Sequence, residues 1–301
     1  MVKSRSLITG EEREEFENKR KLKRLKDASV ATNDNLEIPL DNNKAFPLFT
    51  ITNENYTIDD LVISGNIIKK INLIIDENIN FDKFKFYGLK PKQKILLFGE
   101  PGTGKTLTAK VISSMLNYPL ITITFDSLIS SYLGETASNL RKIFEFIRQG
   151  KWTVLFDEFD IISKKRDDPH EHGEIKRIVT NFMQMVDYYK GKSIIIAATN
   201  HQHLLDKAVW RRFDEVIEYP LPNKKDREKL YFKYLSGYMN PNNIPFALMA
   251  EKSNDFTGAD IFQVCTNVLK KCVLNDEMEF TKSLMFEEIE EQQLRKRLLP
   301  R

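Results

Sequence analysis

Apolar and polar positions change their spacing more than once along this chain. Before residue 58 no period is sustained, and from 58 to 222 short apolar runs alternate with longer amphipathic stretches. The runs fall at 95–98, 120–125, 154–156, 193–198 and 216–219. Short apolar runs set between polar segments suit buried strands. The stretches at 104–116, 138–149 and 174–187 carry helical spacing instead. In the second of them Leu140, Ile143, Phe144 and Ile147 fall at i, i+3, i+4 and i+7, and Gly150 follows as a helix stop. Such alternation predicts an α/β fold, a parallel sheet sandwiched by helices. After Pro222 the strand signal ends, and 224–237, 245–253, 258–275 and 283–298 all read as helices. The pattern divides the chain into an N-terminal charged helix and linker (1–57), an α/β domain (58–222) and a small all-helical domain (223–301).

The N-terminal segment is different in kind. Residues 11–27 are rich in Glu and then in Lys and Arg, with Glu15 and Glu17 four residues before Lys19 and Lys21. That order supports a helix, but Phe16, Leu22 and Leu25 are too few for a core-facing stripe, so the helix is expected to be solvated. Residues 28–48 are rich in Asn, Asp and Pro and read as a linker.

Composition narrows the setting. The 301 residues carry a net charge of +3, with 41% hydrophobic and 30% charged residues. That balance suits a folded chain in water, and so small a charge gives no reason to make nucleic acid the main partner. Cys265 and Cys272 lie seven apart in one predicted helix. Their Cα atoms would be ~10 Å apart, beyond the ~7 Å reach of a disulfide, so a reducing, cytoplasmic compartment is expected. The N-terminus has no apolar signal segment. The apolar stretch 67–75 is broken by Lys69 and Lys70, so no membrane span is expected. The histidine pairs His170/His172 and His201/His203 have no evident third ligand and form no H-E-x-x-H helix.

The chemistry is concentrated in two places. Gly99-Glu100-Pro101-Gly102-Thr103-Gly104-Lys105-Thr106 fits G-x-x-x-x-G-K-[ST], directly after an apolar run and directly before a helical stretch. The glycines let the backbone curl with its N–H groups turned inward on phosphate. Lys105 would reach the β and γ phosphates and the Thr106 hydroxyl would ligate Mg²⁺. The second place is the run Thr153-Val154-Leu155-Phe156, which ends in Asp157-Glu158. Asp157 would hold the Mg²⁺ shell, and Glu158 would orient and deprotonate the attacking water.

With these motifs the chain resembles the AAA+ ATPases, and within them the narrower AAA group of katanin, spastin and similar remodelling enzymes. The resemblance covers about residues 60–275. It implies a P-loop NTPase sheet followed by a helical lid, with ATP and Mg²⁺ as ligands. Ile194-Ile195-Ile196-Ala197-Ala198-Thr199-Asn200 is similar to the sensor-1 strand, which would bring the Asn200 amide to the γ-phosphate or the attacking water. The stretch Leu205 to Asp214 resembles the second region of homology, in which Arg211 and Arg212 would reach the nucleotide of a neighbouring subunit. Ser131-Tyr132-Leu133-Gly134-Glu135 resembles the central-pore loop, with Tyr132 gripping a polypeptide, and a second pore loop is expected within 166–173. Phe256-Thr257-Gly258-Ala259-Asp260-Ile261 resembles the start of the lid helix. Ala259 and Asp260 stand where other branches carry a nucleotide-sensing arginine, as in the narrow group. Two departures stand out. Glu100 replaces a usual proline at a position that binds nothing, and Asp59 to Gly65 only loosely resembles the adenine-side loop, so adenine specificity is implied by the family alone.

The resemblance implies a hexameric homo-oligomer acting on protein substrates. The stretch before the ATPase module is short for a substrate-binding domain, so a separate partner, such as a protease, is expected to supply substrate choice. Two other roles remain open at this level. One is a nucleotide-controlled assembly or binding module with slow turnover, and the other a nucleic-acid-linked motor. Stimulation of the ATPase by unfolded protein, by nothing, or by nucleic acid separates the three.

Overall fold

The apolar runs form the strands of a single sheet. In the computed structural model the described residues are 38–40, 47–124, 128, 135–159, 169–201, 207–238, 244–274 and 281–298. The strands are β1 (Thr50–Thr52), β2 (Lys94–Gly99), β3 (Leu120–Thr124), β4 (Thr153–Asp157), β5 (Ile194–Thr199) and β6 (Glu215–Tyr219). Their order is β1-β3-β4-β5-β2-β6. All neighbours from β3 to β6 are parallel, with Ile95 opposite Ile196 and Val154 opposite Ile195 in register. The whole of β5, IIIAAT, is buried, which explains a continuous apolar run rather than an alternating one: both faces of a parallel sheet are covered.

The helices that connect these strands are α1 (Gly65–Ile79), α2 (Phe81–Phe86), which buries none of its residues, α3 (Lys105–Leu116), α4 (Thr136–Arg148) and α5 (Pro169–Tyr188). Ile67, Ile71, Ile74 and Ile75 of α1 and Ala109, Val111 and Ile112 of α3 join Ile95, Leu97, Leu155 and Ile196 in one core. Aromatic residues make another. Phe144 of α4 lies 6.1 Å from Phe156 of β4 and 6.0 Å from Phe182 of α5, and Phe156 and Phe182 are 4.8 Å apart. The four helical positions read from the sequence, Leu140, Ile143, Phe144 and Ile147, are all buried.

Strand β1 is the addition that the hydrophobic pattern does not announce. Three residues, Thr-Ile-Thr, are too short to show a period. They pair antiparallel with β3, Thr50 opposite Thr122. Leu48 and Phe49 before them are buried, and the Phe49 ring sits 5.0 Å from Phe146. The last residues of the Asn- and Pro-rich stretch therefore pack against the sheet edge.

Beyond a short helix α6 (Lys207–Trp210) and β6 come α7 (Lys224–Leu235), α8 (Phe246–Lys252), α9 (Gly258–Leu274) and α10 (Lys282–Leu298). They bury Leu230, Tyr231, Met249, Phe256, Ile261, Val264 and Val268 in a core of their own. Asn223 caps α7 by accepting from the Asp226 amide at 3.0 Å. Buried Arg227 then ties the segment together, donating to Ala250 O (2.9 Å), Pro222 O (2.8 Å) and Asn254 Oδ1 (2.8 Å). Three acceptors satisfy a buried guanidinium that would otherwise be costly. Cys265 and Cys272 are free and buried in α9. Among the described residues no helix is long and apolar enough to cross a membrane.

Candidate nucleotide site

Parallel strands end on one edge of their sheet, and ligand sites collect there. Gly99 ends β2, Asp157 ends β4 and Thr199 ends β5. These three strands are successive neighbours, so the glycine-rich loop, the two acids and Asn200 converge. They meet in a cleft of about 470 Å³ lined by Pro101, Gly102, Thr103, Gly104, Lys105, Thr106, Asp157, Glu158 and Asn200.

The curl of the loop depends on glycine. Gly102 (φ 77°) and Gly104 (φ 106°) occupy backbone regions that side chains rarely adopt. Gly99 is needed for space as well. A Cβ there would stand 2.2 Å from the carbonyl oxygen of Tyr219 on β6. Gly99→Ala must push β2 and its hydrogen-bonded neighbour β6 apart, and it is expected to lower the unfolding free energy by about 2 kcal/mol or more. Chemical denaturation measures this, and wild-type stability would contradict so close an approach.

Helix α3 begins within the loop, so its unpaired N–H groups face the cleft. The buried Lys105 side chain folds back, its Nζ donating to Gly99 O (2.8 Å) and Glu100 O (2.9 Å). Glu100 O also accepts from Thr103 Oγ1 at 2.7 Å. Glu100 itself is exposed and, like Gly99, does not line the cleft. Thr106 Oγ1 donates to Asp157 Oδ2 at 2.9 Å. A hydroxyl and a carboxylate this close suit a hard cation. Mg²⁺ commonly takes one or two protein oxygens and completes its shell with water and phosphate. Among the described residues no group of three or more His, Cys, Asp or Glu could hold a metal alone.

Glu158 has φ 54°, a left-handed conformation for a non-glycine residue. Its backbone is pinned on both sides. Its own N–H donates to Asp157 Oδ1 (3.0 Å), and Phe159 N donates to Ala198 O (2.9 Å) while the Phe159 ring is fully buried. The exposed Glu158 side chain is thereby turned into the cleft. Backbone strain of this kind is concentrated at functional sites.

The opposite wall is apolar and mostly built after Pro220. It comprises Leu61, Val62 and Ile63 from the strap before α1, Leu221, Leu230 and Tyr234 around α7, and Ala259 and Phe262 of α9. An anion cradle beside an apolar slot has the polarity of a nucleotide. Helix α9 is set against the loop by its first turn. Thr257 and Asp260 form a reciprocal cap, Thr257 N to Asp260 Oδ2 at 2.9 Å and Asp260 N to Thr257 Oγ1 at 3.2 Å. Ala259 N donates to Gly102 O at 3.1 Å. Burial would raise the Asp260 carboxyl, but the Lys296 ammonium at 2.9 Å and the Thr257 amide outweigh it and hold it below the usual carboxylate range.

Arg211 and Arg212 do not line the cleft. Arg211 is exposed, and Arg212 forms an ion pair with Asp187 of α5. Tyr132 lies outside the described residues. The segment 166–173, expected as a loop, belongs to α5 from residue 169 onward. Sequence reasoning passes over Asp187, Thr108 and Tyr219. The last two carry only a faint signal, a hydroxyl on each of two apolar faces.

Comparison with known proteins agrees with this geometry. Residues 95–221 match the family described as ATPase family associated with various cellular activities (AAA). An uncharacterized AAA family ATPase, y4kL, of Sinorhizobium fredii is 37% identical over 237 residues, covering 76% of this chain and 70% of that protein. A proteasome-activating nucleotidase of Sulfurisphaera tokodaii is 35% identical over 231 residues, 74% of this chain and 58% of its own length. Proteasome-activating nucleotidase 1 of Haloferax volcanii is 35% identical over 206 residues, 66% of this chain and 50% of its own. The chain thus spans only 50–58% of the two nucleotidases. A glycine-rich loop at the end of a parallel strand, paired acids at the end of a nearby one, and a relative matched over most of both chains leave one assignment: this chain is an ATPase that belongs to the AAA family.

Proposed function

We propose that this chain assembles into a hexameric ring, hydrolyses ATP at sites shared between subunits, and uses the turnover to unfold or thread protein substrates. Within a subunit the loop N–H groups and Lys105 bind the β and γ phosphates. Thr106 and Asp157 would hold Mg²⁺, which when bound neutralises charge on the phosphate oxygens. Glu158 takes the proton of the attacking water, and the Asn200 amide orients that water or the γ-phosphate. The helical segment 223–301 acts as the lid over the base.

One observation carries the shared site. Among the described residues that line the cleft, Lys105 is the only basic one. Four carboxylates line the cleft, those of Asp60, Asp157, Glu158 and Asp226, and the triphosphate adds more negative charge. Transition-state charge in such reactions is commonly met by an arginine, worth about 10³–10⁵ in rate. A neighbouring copy is the natural source, with Arg211 and Arg212 outside their own cleft. Support for a protein substrate is indirect. Two relatives are named proteasome-activating nucleotidases, and Tyr132 has the aromatic character of a gripping residue. The same names support a separate protease as partner, and Ala259 and Asp260 support membership of the narrow AAA group.

The shared site is tested by mixing inactive proteins. A double Arg211→Ala, Arg212→Ala variant should bind ATP almost normally and show only background turnover. Mixed with Lys105→Ala protein, it should recover activity, because some interfaces then join an intact loop to intact arginines. Subunit exchange is followed separately by fluorescence energy transfer. Turnover at the normal rate by the arginine variant alone would refute the proposal. Exchange without recovery would place the arginines in their own subunit or require several consecutive intact sites.

A further inference from the structure

A chain of buried hydroxyls runs from the sheet into the phosphate loop. Tyr219, the last residue of β6, is fully buried, and its phenol lies 2.6 Å from Thr108 Oγ1 on α3. Thr108 is also fully buried. Its Oγ1 lies 3.0 Å from Gly104 O, and its backbone N–H donates to the same oxygen at 2.9 Å. A threonine hydroxyl has one proton. A carbonyl can only accept, so Gly104 O takes that proton and the Tyr219 phenol donates to Thr108. Burial pushes the phenol above its ordinary value, which keeps the donor protonated.

The end of this chain matters more than its beginning. In a trans peptide the C=O and the following N–H point in opposite directions. Two donors pull the Gly104 carbonyl down into α3, so the Lys105 N–H is aimed out of the helix toward the cleft. Gly104 sits at φ 106°, and no atom comes within 4 Å of where its Cβ would stand, its chain neighbours apart. Tyr219 touches the other end of the loop too, because its own carbonyl packs on Gly99. One residue thus braces both ends of the phosphate cradle.

We propose that the Tyr219 hydroxyl is a positioning group for nucleotide binding. It holds the Thr108 hydroxyl, which holds the Gly104–Lys105 peptide and aims its N–H at the bound phosphate. The inference rests on the phosphate-loop reading. A ring without the hydroxyl fills the same space, so Tyr219→Phe keeps the packing and loses only the brace.

The experiment is titration of purified variants with a fluorescent ATP analogue, alongside steady-state ATPase assays and thermal unfolding. Tyr219→Phe should weaken nucleotide binding by about three- to ten-fold, with KM rising by more than kcat falls. Thr108→Val should do the same, and Thr108→Ser, which keeps the hydroxyl, should restore the affinity. The double variant Tyr219→Phe, Thr108→Val should be no weaker than Thr108→Val alone, because both changes cut one chain. Unchanged affinity in a folded Tyr219→Phe protein overturns the inference. So does a fully additive loss in the double variant, or a Thr108→Ser protein as impaired as Thr108→Val. Failure of wild-type protein to bind the analogue would instead remove the phosphate-loop reading, and this inference with it.

Discussion

Glu158→Gln is expected to leave ATP bound and to slow turnover by at least about 100-fold. The amide keeps the shape and size of the carboxylate and removes its basicity. Lys105 and the Thr106–Asp157 pair stay as they are, so affinity should change little. The backbone argument sharpens this expectation. Glu158 is held at φ 54° between the Asp157 side chain and the anchored Phe159, and glutamine meets the same restraints. The variant protein should therefore fold and aim an inert amide at the water. Single-turnover measurement of γ-phosphate release, beside equilibrium ATP binding, reads the two effects separately. Near-normal release would take Glu158 out of the base role and leave the other cleft acids, Asp157 first and then Asp60 and Asp226, to be tested. In a ring, the trapped ATP state should also stabilise the assembly, visible as a larger particle by light scattering.

Lys105→Ala should act one step earlier, on binding itself. Each charge-assisted hydrogen bond contributes roughly 1.5–3 kcal/mol, so losing an ammonium shared by two phosphates should weaken ATP binding by about 100-fold or more. The structure adds a second expectation. Lys105 Nζ joins the end of the loop to the carbonyls of Gly99 and Glu100, so alanine also loosens the cradle. Affinity for ADP should then fall along with that for ATP, because the loop geometry serves both. Isothermal titration with each nucleotide decides it. An unchanged ATP affinity would mean that the residues from Gly99 to Thr106 are not the phosphate loop at all.

Much of this site is legible in the sequence, and the reason is local. A glycine-rich turn between a strand and a helix constrains its backbone with residues only a few positions apart. Asp157 and Glu158 were legible for a similar reason, standing at the end of a buried run. Parallel strands then make a local motif into a global one, because their C-terminal ends must share an edge. That is why β2, β4 and β5 bring Gly99, Asp157 and Asn200 into one neighbourhood although 101 positions separate the first from the last. The helical face of α4 was legible too, since Leu140, Ile143, Phe144 and Ile147 repeat with the helix itself.

What resisted reading depends on which faces meet. No pattern within Thr50–Thr52 says that it will pair antiparallel with β3. Nothing around Arg212 says that its guanidinium will find Asp187, 25 positions earlier on α5. The contact of Ala259 with Gly102 needs α9 docked on the loop, and the Thr108–Tyr219 bond joins a helix to a strand 111 positions away. The sequence alone determined the strand and helix alternation, the glycine-rich turn between β2 and α3 and the paired acids at the end of β4, because backbone conformation and hydrophobic period are short-range properties. The tertiary structure alone decided the apolar wall of the cleft, the partner of Arg212 and the brace on Gly104. Those are set by the packing of distant elements, where each contact forms only after the chain between its two ends has folded.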